Sequence, residues 1–313
     1  MSVVPIEPSR HGHVTVMPEE AVLALKPAAG KVFLDVTCGG GGHAAALLES
    51  NPEVRVLAFD RDPGAVAATR ERLAEYRERV TVSRVAFEEL RTWLEAHGVG
   101  PVDGVIADLG ISSLQLDDPD RGMSFHLEGP LDMRMDRDAG SSALELIESL
   151  SQDELANLIY RFGEERRSRR VARCIKQALE SGALGTTHDL RRAIIRAVGP
   201  RRVGGVDPAT RTFQALRIAV NGELRQLDAL LDAVAHLVRP GGRAVLISFH
   251  SLEDRLVKRA FLQADVWQRL TKKPLVPGEL ERARNPRARS AKLRAAERVE
   301  PTADDDTIPG GTP

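Results

Sequence analysis

The segment that most limits what this chain can fold into is a glycine turn. The apolar run Lys31-Val-Phe-Leu-Asp-Val36 leads into Thr37-Cys-Gly-Gly-Gly-Gly-His43, and a helical pattern follows from His43. Four contiguous glycines cannot extend a strand, and without side chains they let backbone approach a ligand closely. Between a strand and a helix, such a turn is where open parallel sheets hold a nucleotide. The next segments repeat the same unit. Strands are predicted over residues 54–60, 80–85 and 102–108, with helices over 63–79 and 87–97 between them. Asp62 and Pro63 supply a cap and first turn for the first of these helices. Strands spaced by helices in this way form βαβ units and a parallel sheet.

The rhythm stops near residue 114 and resumes near 211. The intervening stretch holds no convincing strand. An acidic loop over residues 115–138 precedes helical patterns at 143–147, 152–161, 166–179 and 188–198. One long helical stripe then runs Phe213, Leu216, Val220, Leu224, Leu227, Leu231, Val234 at spacings of three and four. Arg239-Pro-Gly-Gly242 ends it, and a fifth strand is predicted over 243–249. The expected organisation is an α/β domain (residues 1–113 and 211–313, with a tail from about 301) interrupted by an all-helical unit over 114–210. Strands beyond Phe261 cannot be placed from the pattern.

The turn's chemistry narrows the cofactor. Asp60, at the end of the second strand and eighteen residues past Gly42, is placed to accept hydrogen bonds from both ribose hydroxyls. Dinucleotide enzymes space their glycines G-x-G-x-x-G and bring a pyrophosphate to the helix N-terminus. Here Gly39 to Gly42 are contiguous, and Asp35 lies four residues ahead of Gly39. A carboxylate there repels pyrophosphate and suits the cationic end of S-adenosylmethionine. The later Leu237-Val-Arg-Pro-Gly-Gly-Arg-Ala-Val-Leu-Ile247 agrees, being the turn and strand of many class I methyltransferases.

The fourth strand ends Asp108-Leu-Gly-Ile-Ser-Ser113. Ligands sit beyond the carboxyl ends of such strands, so Asp108 is expected beside the transferred methyl group. An exocyclic amine is a poor nucleophile, because its lone pair is delocalised into the ring. A carboxylate that accepts its protons turns that lone pair outward, and positioning supplies the rest of the catalysis. Asp108 is therefore the candidate catalytic residue. The Asn/Asp-Pro-Pro-aromatic signature of DNA amino-methyltransferases is absent. Carbon-5 methylation would need a nucleophilic cysteine. Cys38 lies in the cofactor turn and Cys174 on the apolar side of a basic helix, so both read as buried fillers.

Charge points to the substrate. The formal net charge is −1, but the distribution is uneven. Residues 103–138 carry nine acids against three bases, residues 161–202 twelve bases against four acids, and residues 251–300 thirteen against seven. Two basic blocks around an acidic one suggest a positive face for phosphates. Two cysteines offer no disulfide framework, the eight histidines show no metal-ligand spacing, and no eighteen-residue apolar run exists. No metal, no membrane span and a cytoplasmic location are expected, the last because residues 1–10 lack a signal-peptide pattern.

Ten segments in order then resemble one family, the bacterial MraW/RsmH methyltransferases. They are His13-Val-Thr-Val16 with Glu19-Glu-Ala-Val22; Asp35 to His43; Phe59-Asp-Arg-Asp-Pro63; Asp103 to Ser113 with Gln115-Leu-Asp117; Arg121-Gly-Met-Ser-Phe125; Gly129-Pro-Leu-Asp-Met-Arg-Met-Asp136; Tyr160-Arg-Phe-Gly-Glu-Glu-Arg166; Pro208-Ala-Thr-Arg-Thr-Phe-Gln214; Ser248-Phe-His-Ser-Leu-Glu-Asp-Arg255; and Asn285-Pro-Arg-Ala-Arg-Ser290. The resemblance implies a class I, Rossmann-like methyltransferase with an inserted helical domain. It implies N4-methylation of a cytidine in the decoding centre of 16S ribosomal RNA, within the small subunit, by a monomer or homodimer. It also implies cofactor contacts at Gly41, Gly42, His43, Asp60, Phe87, Asp108 and Gln115, with Phe87 against the adenine ring; Asp35 and Gly39 join them from the turn itself. Asp132, Arg134, Asn221 and His250 become candidate pocket residues. The basic helix Arg166-Arg-Ser-Arg-Arg-Val-Ala-Arg173 and the group Arg284, Arg287, Arg289, Lys292, Arg294 become candidate binders of rRNA phosphates. A protein or small-molecule methyltransferase is disfavoured by the basic blocks. A non-enzymatic RNA-binding protein is disfavoured by the intact turn, Asp60 and Asp108.

Overall fold

The computed structural model describes residues 14–200 and 206–300; His13, Arg201, Arg202 and the expected tail lie outside them. After α1 (Pro18–Leu25), strand and helix alternate: β1 (Val32–Asp35), α2 (Gly42–Ser50), β2 (Arg55–Asp60), α3 (Pro63–Arg72), β3 (Val80–Arg84), α4 (Leu90–Ala96) and β4 (Val102–Asp108). Helices follow without a named strand: α5 (Ser113–Asp117), α6 (Ala143–Ser149), α7 (Gln152–Gly163), α8 (Ser168–Glu180), α9 (Thr187–Val198), α10 (Thr210–Asn221) and α11 (Glu223–Leu237). The chain then returns through β5 (Val238–Ser248), α12 (Ser251–Ala260), β6 (Trp267–Arg269), α13 (Glu279–Arg284) and β7 (Lys292–Arg298). No helix among the described residues is long and apolar enough to cross a membrane.

The seven strands order as β3-β2-β1-β4-β5-β7-β6. The first five are parallel, and β7 and β6 add an antiparallel edge. Strand order reverses between β1 and β4, so the crevice opens at their carboxyl ends. Register puts Asp35 opposite both Ala58 and Ile106. Asp60 and Asp108 lie two residues further along their strands, on either side of Asp35. The sheet is apolar on both faces, as a covered parallel sheet must be. Phe33, Val56 and Ile106 pack towards α1 and α2, whereas Leu34, Phe59, Val105 and Leu246 pack towards α4 and α11.

Four expectations change. The helix expected over 63–79 ends at Arg72, where Leu73 caps it and a short 3-10 turn (Ala74–Tyr76) follows. The helix expected over 87–97 starts as a 3-10 turn over Phe87–Glu89. The Arg239-Pro-Gly-Gly242 turn is a bulge inside β5, since Val238 already pairs with Val102 and pairing resumes at Arg243 with Gly104. The single long helix from Thr212 is two, broken at Gly222, which sits at φ 60°. The apolar stripe runs unbroken across that break because each helix buries its own side. Phe213 and Leu216 of α10 enter a helical cluster with Ile159, Val171, Ile175 and Ile194, and Leu227, Leu231 and Val234 of α11 lie on the sheet. The helical cluster thus takes in α10, beyond the boundary expected at residue 210.

Candidate active site

The cleft forms where β1, β2 and β4 end. Gly41 starts α2 at φ 76°, and a Cβ on Gly42 would collide with the Thr15 hydroxyl. Only a bare backbone fits this bend. Asp60 fastens it to the next strand: its Oδ2 accepts from the Gly39 amide (3.0 Å) and its Oδ1 from the Asp62 amide (3.0 Å). Thr37 Oγ1 accepts from the Asp108 amide at 2.6 Å, which ties the ends of β1 and β4 together. Asp62 caps α3 at the Gly64 amide, and its Oδ2 accepts from Gln115 Nε2 (2.7 Å) and Arg121 Nη2 (2.8 Å). The acidic loop is thereby pulled over the cofactor turn.

The resulting cleft is open to solvent at its mouth. Gly39, Gly42, His43, Asp60, Phe87, Asp108, Gln115 and Arg287 line it. His43 is buried, with Nε2 2.9 Å from the Val16 carbonyl oxygen. Asp35 and Gly41 are not on its wall. Asp35 lies one layer behind, because β1 ends there and Thr37 covers it; its Oδ1 accepts from the Thr37 amide at 3.2 Å.

Three carboxyl groups therefore share one poorly solvated corner. Burial pushes Asp60 up to about 6, Asp35 to about 7 and Asp108 to about 8. Asp35 Oδ2 and Asp108 Oδ1 are buried with no hydrogen-bond partner, an expensive state that a ligand in the cleft would relieve at Asp108, which lines it. The same desolvation raises the Cys38 thiol, which stays protonated and is no nucleophile.

Several residues expected to contact substrate make internal contacts and do not line the cleft. Asp132 and Arg134 face each other through two hydrogen bonds (2.8 and 2.9 Å), away from the cleft. Asn221 clamps the loop before α6: its Oδ1 accepts from the Met135 amide (2.7 Å) and its Nδ2 donates to the Met133 carbonyl (2.7 Å). His250 caps α12, with Nδ1 accepting from the Glu253 amide at 3.3 Å. Arg294, expected on a basic surface, is buried in β7 and paired with Asp254 at 2.7 Å; Lys292 reaches the same carboxylate. Arg284 and Arg289 are exposed, and so are Arg166, Arg167, Arg169, Arg170 and Arg173, because α8 buries Val171, Ala172, Cys174 and Ile175 on its opposite side.

The cleft also contains residues not anticipated from sequence: Thr37, Arg61, Gln226 and Glu253. Glu253 had a signal, since it stands three residues after the helix cap His250, the spacing of a capping box. Against the upward push of burial, its hydrogen bond with His250 holds it below the usual carboxylate range. Gln226 had no signal. The histidine spacing also hid one cluster: ligand atoms of Glu223, His250 and Glu253 lie within 4.8 Å of one another. Arg217 already grips Glu223 through two hydrogen bonds (2.7 and 2.9 Å) and supplies the positive charge there.

A corner with three carboxyl groups, Asp35 buried and Asp60 and Asp108 half-buried, disfavours a pyrophosphate and suits a nucleoside that carries its own cation. Fold and site together define a class I methyltransferase with S-adenosylmethionine as methyl donor. The chain belongs to the MraW methylase family, whose model matches residues 10–299. A ribosomal RNA small subunit methyltransferase H from Sorangium cellulosum is 61% identical over 94% of this chain and 93% of its own length. Proteins of the same name from Synechococcus elongatus (50% identical; 94% of this chain, 97% of the relative) and Deinococcus deserti (47%; 92% and 93%) are similar too.

Proposed function

We propose that this protein transfers a methyl group from S-adenosylmethionine to the exocyclic N4 amine of a cytidine in the decoding centre of 16S rRNA, acting in the cytoplasm on the small ribosomal subunit. The observation that carries the reading is Asp108, a half-buried residue at the switch point of the sheet whose Oδ1 is buried with no hydrogen-bond partner. The relatives' shared name supports the small-subunit substrate.

When bound, the cofactor supplies an electrophilic methyl group. Asp60 is in place to accept from its ribose hydroxyls, Phe87 to lie against its adenine, and the Asp35 and Asp108 carboxyl groups to balance its positive charge. Gly39, Gly41 and Gly42 let the turn approach it, while Gln115 and His43 close its sides. Asp108 accepts an amine proton, turns the nitrogen lone pair towards the methyl site and holds the proton released on transfer.

Residues 114–210, together with α10, form the recognition unit in this reading. The five exposed arginines of α8 and its N-terminus meet rRNA phosphates, with Arg289 joining them from the C-terminal segment. The base enters the cleft turned out of its stack.

The test is to incubate small subunits that lack the modification with labelled cofactor, digest the RNA and identify the labelled nucleoside. Label in N4-methylated cytidine is expected. No label, or label in another nucleoside, overturns the proposal.

A further inference from the structure

Arg287 does not behave as its sequence neighbours suggest. It stands in a run of arginines, yet its side chain lines the cleft that contains Asp108, whereas Arg284 and Arg289 stay exposed. A 3-10 turn (Pro286–Ser290) carries it, and that turn is anchored on both sides. Asn285 is buried; its Oδ1 accepts from the Arg287 amide (3.2 Å) and its Nδ2 donates to the Val14 carbonyl (3.1 Å). Ala288 is completely buried beneath the turn. The guanidinium itself donates to the carbonyl oxygen of Ile111, three residues beyond Asp108. Burial pushes the Asp108 carboxyl up, and the charge of the neighbouring Arg287 works against that push. The other guanidinium lining the cleft among the described residues is Arg61, which donates to the Asn221 carbonyl oxygen (3.1 Å).

We propose that Arg287 reads the target base, donating from its guanidinium fork to N3 and O2 of cytosine while Asp108 accepts from the N4 amine. The inference rests on the cytidine reading above and assigns its specificity. A donor beside an acceptor is the complement of the cytosine edge, which presents an amine next to two acceptors. Uracil reverses two of those positions: its O4 would face the Asp108 carboxylate and its N3–H would face the guanidinium. Adenine matches the amine and one ring nitrogen, but offers C2–H where the second N–H of the fork expects an oxygen. A buried polar group left unpaired by the wrong base is costly, which is how such sites discriminate strongly. Phosphates follow the outer surface of the RNA, and the exposed arginines of the same segment are placed for them.

The experiment compares small subunits reconstituted with rRNA carrying either cytidine or 3-deazacytidine at the target position. The analogue lacks the N3 acceptor and keeps the amine. Wild-type enzyme should lose about 10- to 100-fold in kcat/KM on the analogue. Arg287→Met should be slow on cytidine, yet lose no more than about threefold further on the analogue. Any intrinsic change in amine reactivity is common to both enzymes and cancels in the comparison. Arg287→Lys keeps the charge without the fork; it should resemble Arg287→Met, and it carries the test if the methionine variant fails to fold. Cofactor affinity is measured beside each variant, so that the base comparison is made at saturating cofactor. An equal penalty for the analogue in wild type and variants, or a lysine variant as active as wild type, overturns the proposal and leaves Arg287 as a phosphate contact. Failure of the wild-type enzyme to methylate the cytidine substrate overturns instead the reading on which the proposal rests.

Discussion

Asp108→Asn should alter the pH profile of this enzyme in a way that no distant substitution can. Burial raises the carboxyl from 3.8 to about 8, a shift that corresponds to about 6 kcal/mol against ionisation in the free protein. At pH 7 about a tenth of free enzyme molecules carry the ionised form, the one that accepts an amine proton most strongly. The kcat/KM for the methyl donor reports groups of the free enzyme, so it should rise about tenfold per pH unit up to pH 8 and then level. Asp35 and Asp60, at about 7 and about 6, add steps at lower pH. In Asp108→Asn the highest step disappears and the profile levels from about pH 7. Because the amide still offers a carbonyl acceptor, kcat should fall by roughly 100- to 1000-fold rather than to zero. Calorimetric cofactor affinity should fall by much less. A wild-type profile flat between pH 7 and 8, the same step in the variant, or equal losses of kcat and affinity would refute this role for Asp108.

The remaining predictions concern the framework and the RNA surface. Asp35 holds its proton more tightly in the folded protein than in the unfolded chain, so stability without cofactor should fall as pH rises from about 4 to about 7. Asp35→Asn should flatten that fall and be more stable above pH 7, by up to about 4 kcal/mol in denaturant titrations; a variant no more stable than wild type at pH 8 contradicts the buried-acid assignment. Asn221→Ala leaves the Met135 amide and the Met133 carbonyl without their partner and should cost about 1–3 kcal/mol in the same assay, with cofactor binding largely kept. Reversing Arg169, Arg170 and Arg173 to glutamate should raise KM for small subunits and flatten its salt dependence, while the cofactor dissociation constant stays put; an unchanged KM places the RNA elsewhere.

The parts of this molecule that sequence made legible are those set by neighbours in the chain. The end of β4 at Asp108 and the turn from Thr37 to His43 follow from local alternation of apolar run, glycine and helix, so both appear at their expected positions. Asp60 is likewise determined by the end of its strand. The break at Gly222 was hidden because one stripe serves two different partners, the helical cluster before it and the sheet after it. Arg287 was hidden for a longer-range reason. Its place in the cleft depends on β7 returning antiparallel to β5, which carries residues 285–290 to the mouth of β4 from far along the chain. Asp132 and Arg134 lie off the cleft wall and pair with each other, a local arrangement that two opposite charges two residues apart favour. Gln226 carries nothing in its own sequence context that marks it as a cleft residue.

The account turns on which way the cofactor and the base lie in the cleft. A crystal structure of the protein with S-adenosylhomocysteine and cytidine measures that directly. The ribose hydroxyls should hydrogen-bond to Asp60, the adenine should lie against Phe87, and the cytosine N4 should sit within hydrogen-bond distance of Asp108. An adenine at the Asp108 end, or a cytosine that turns its amine away from that carboxylate, would contradict the account.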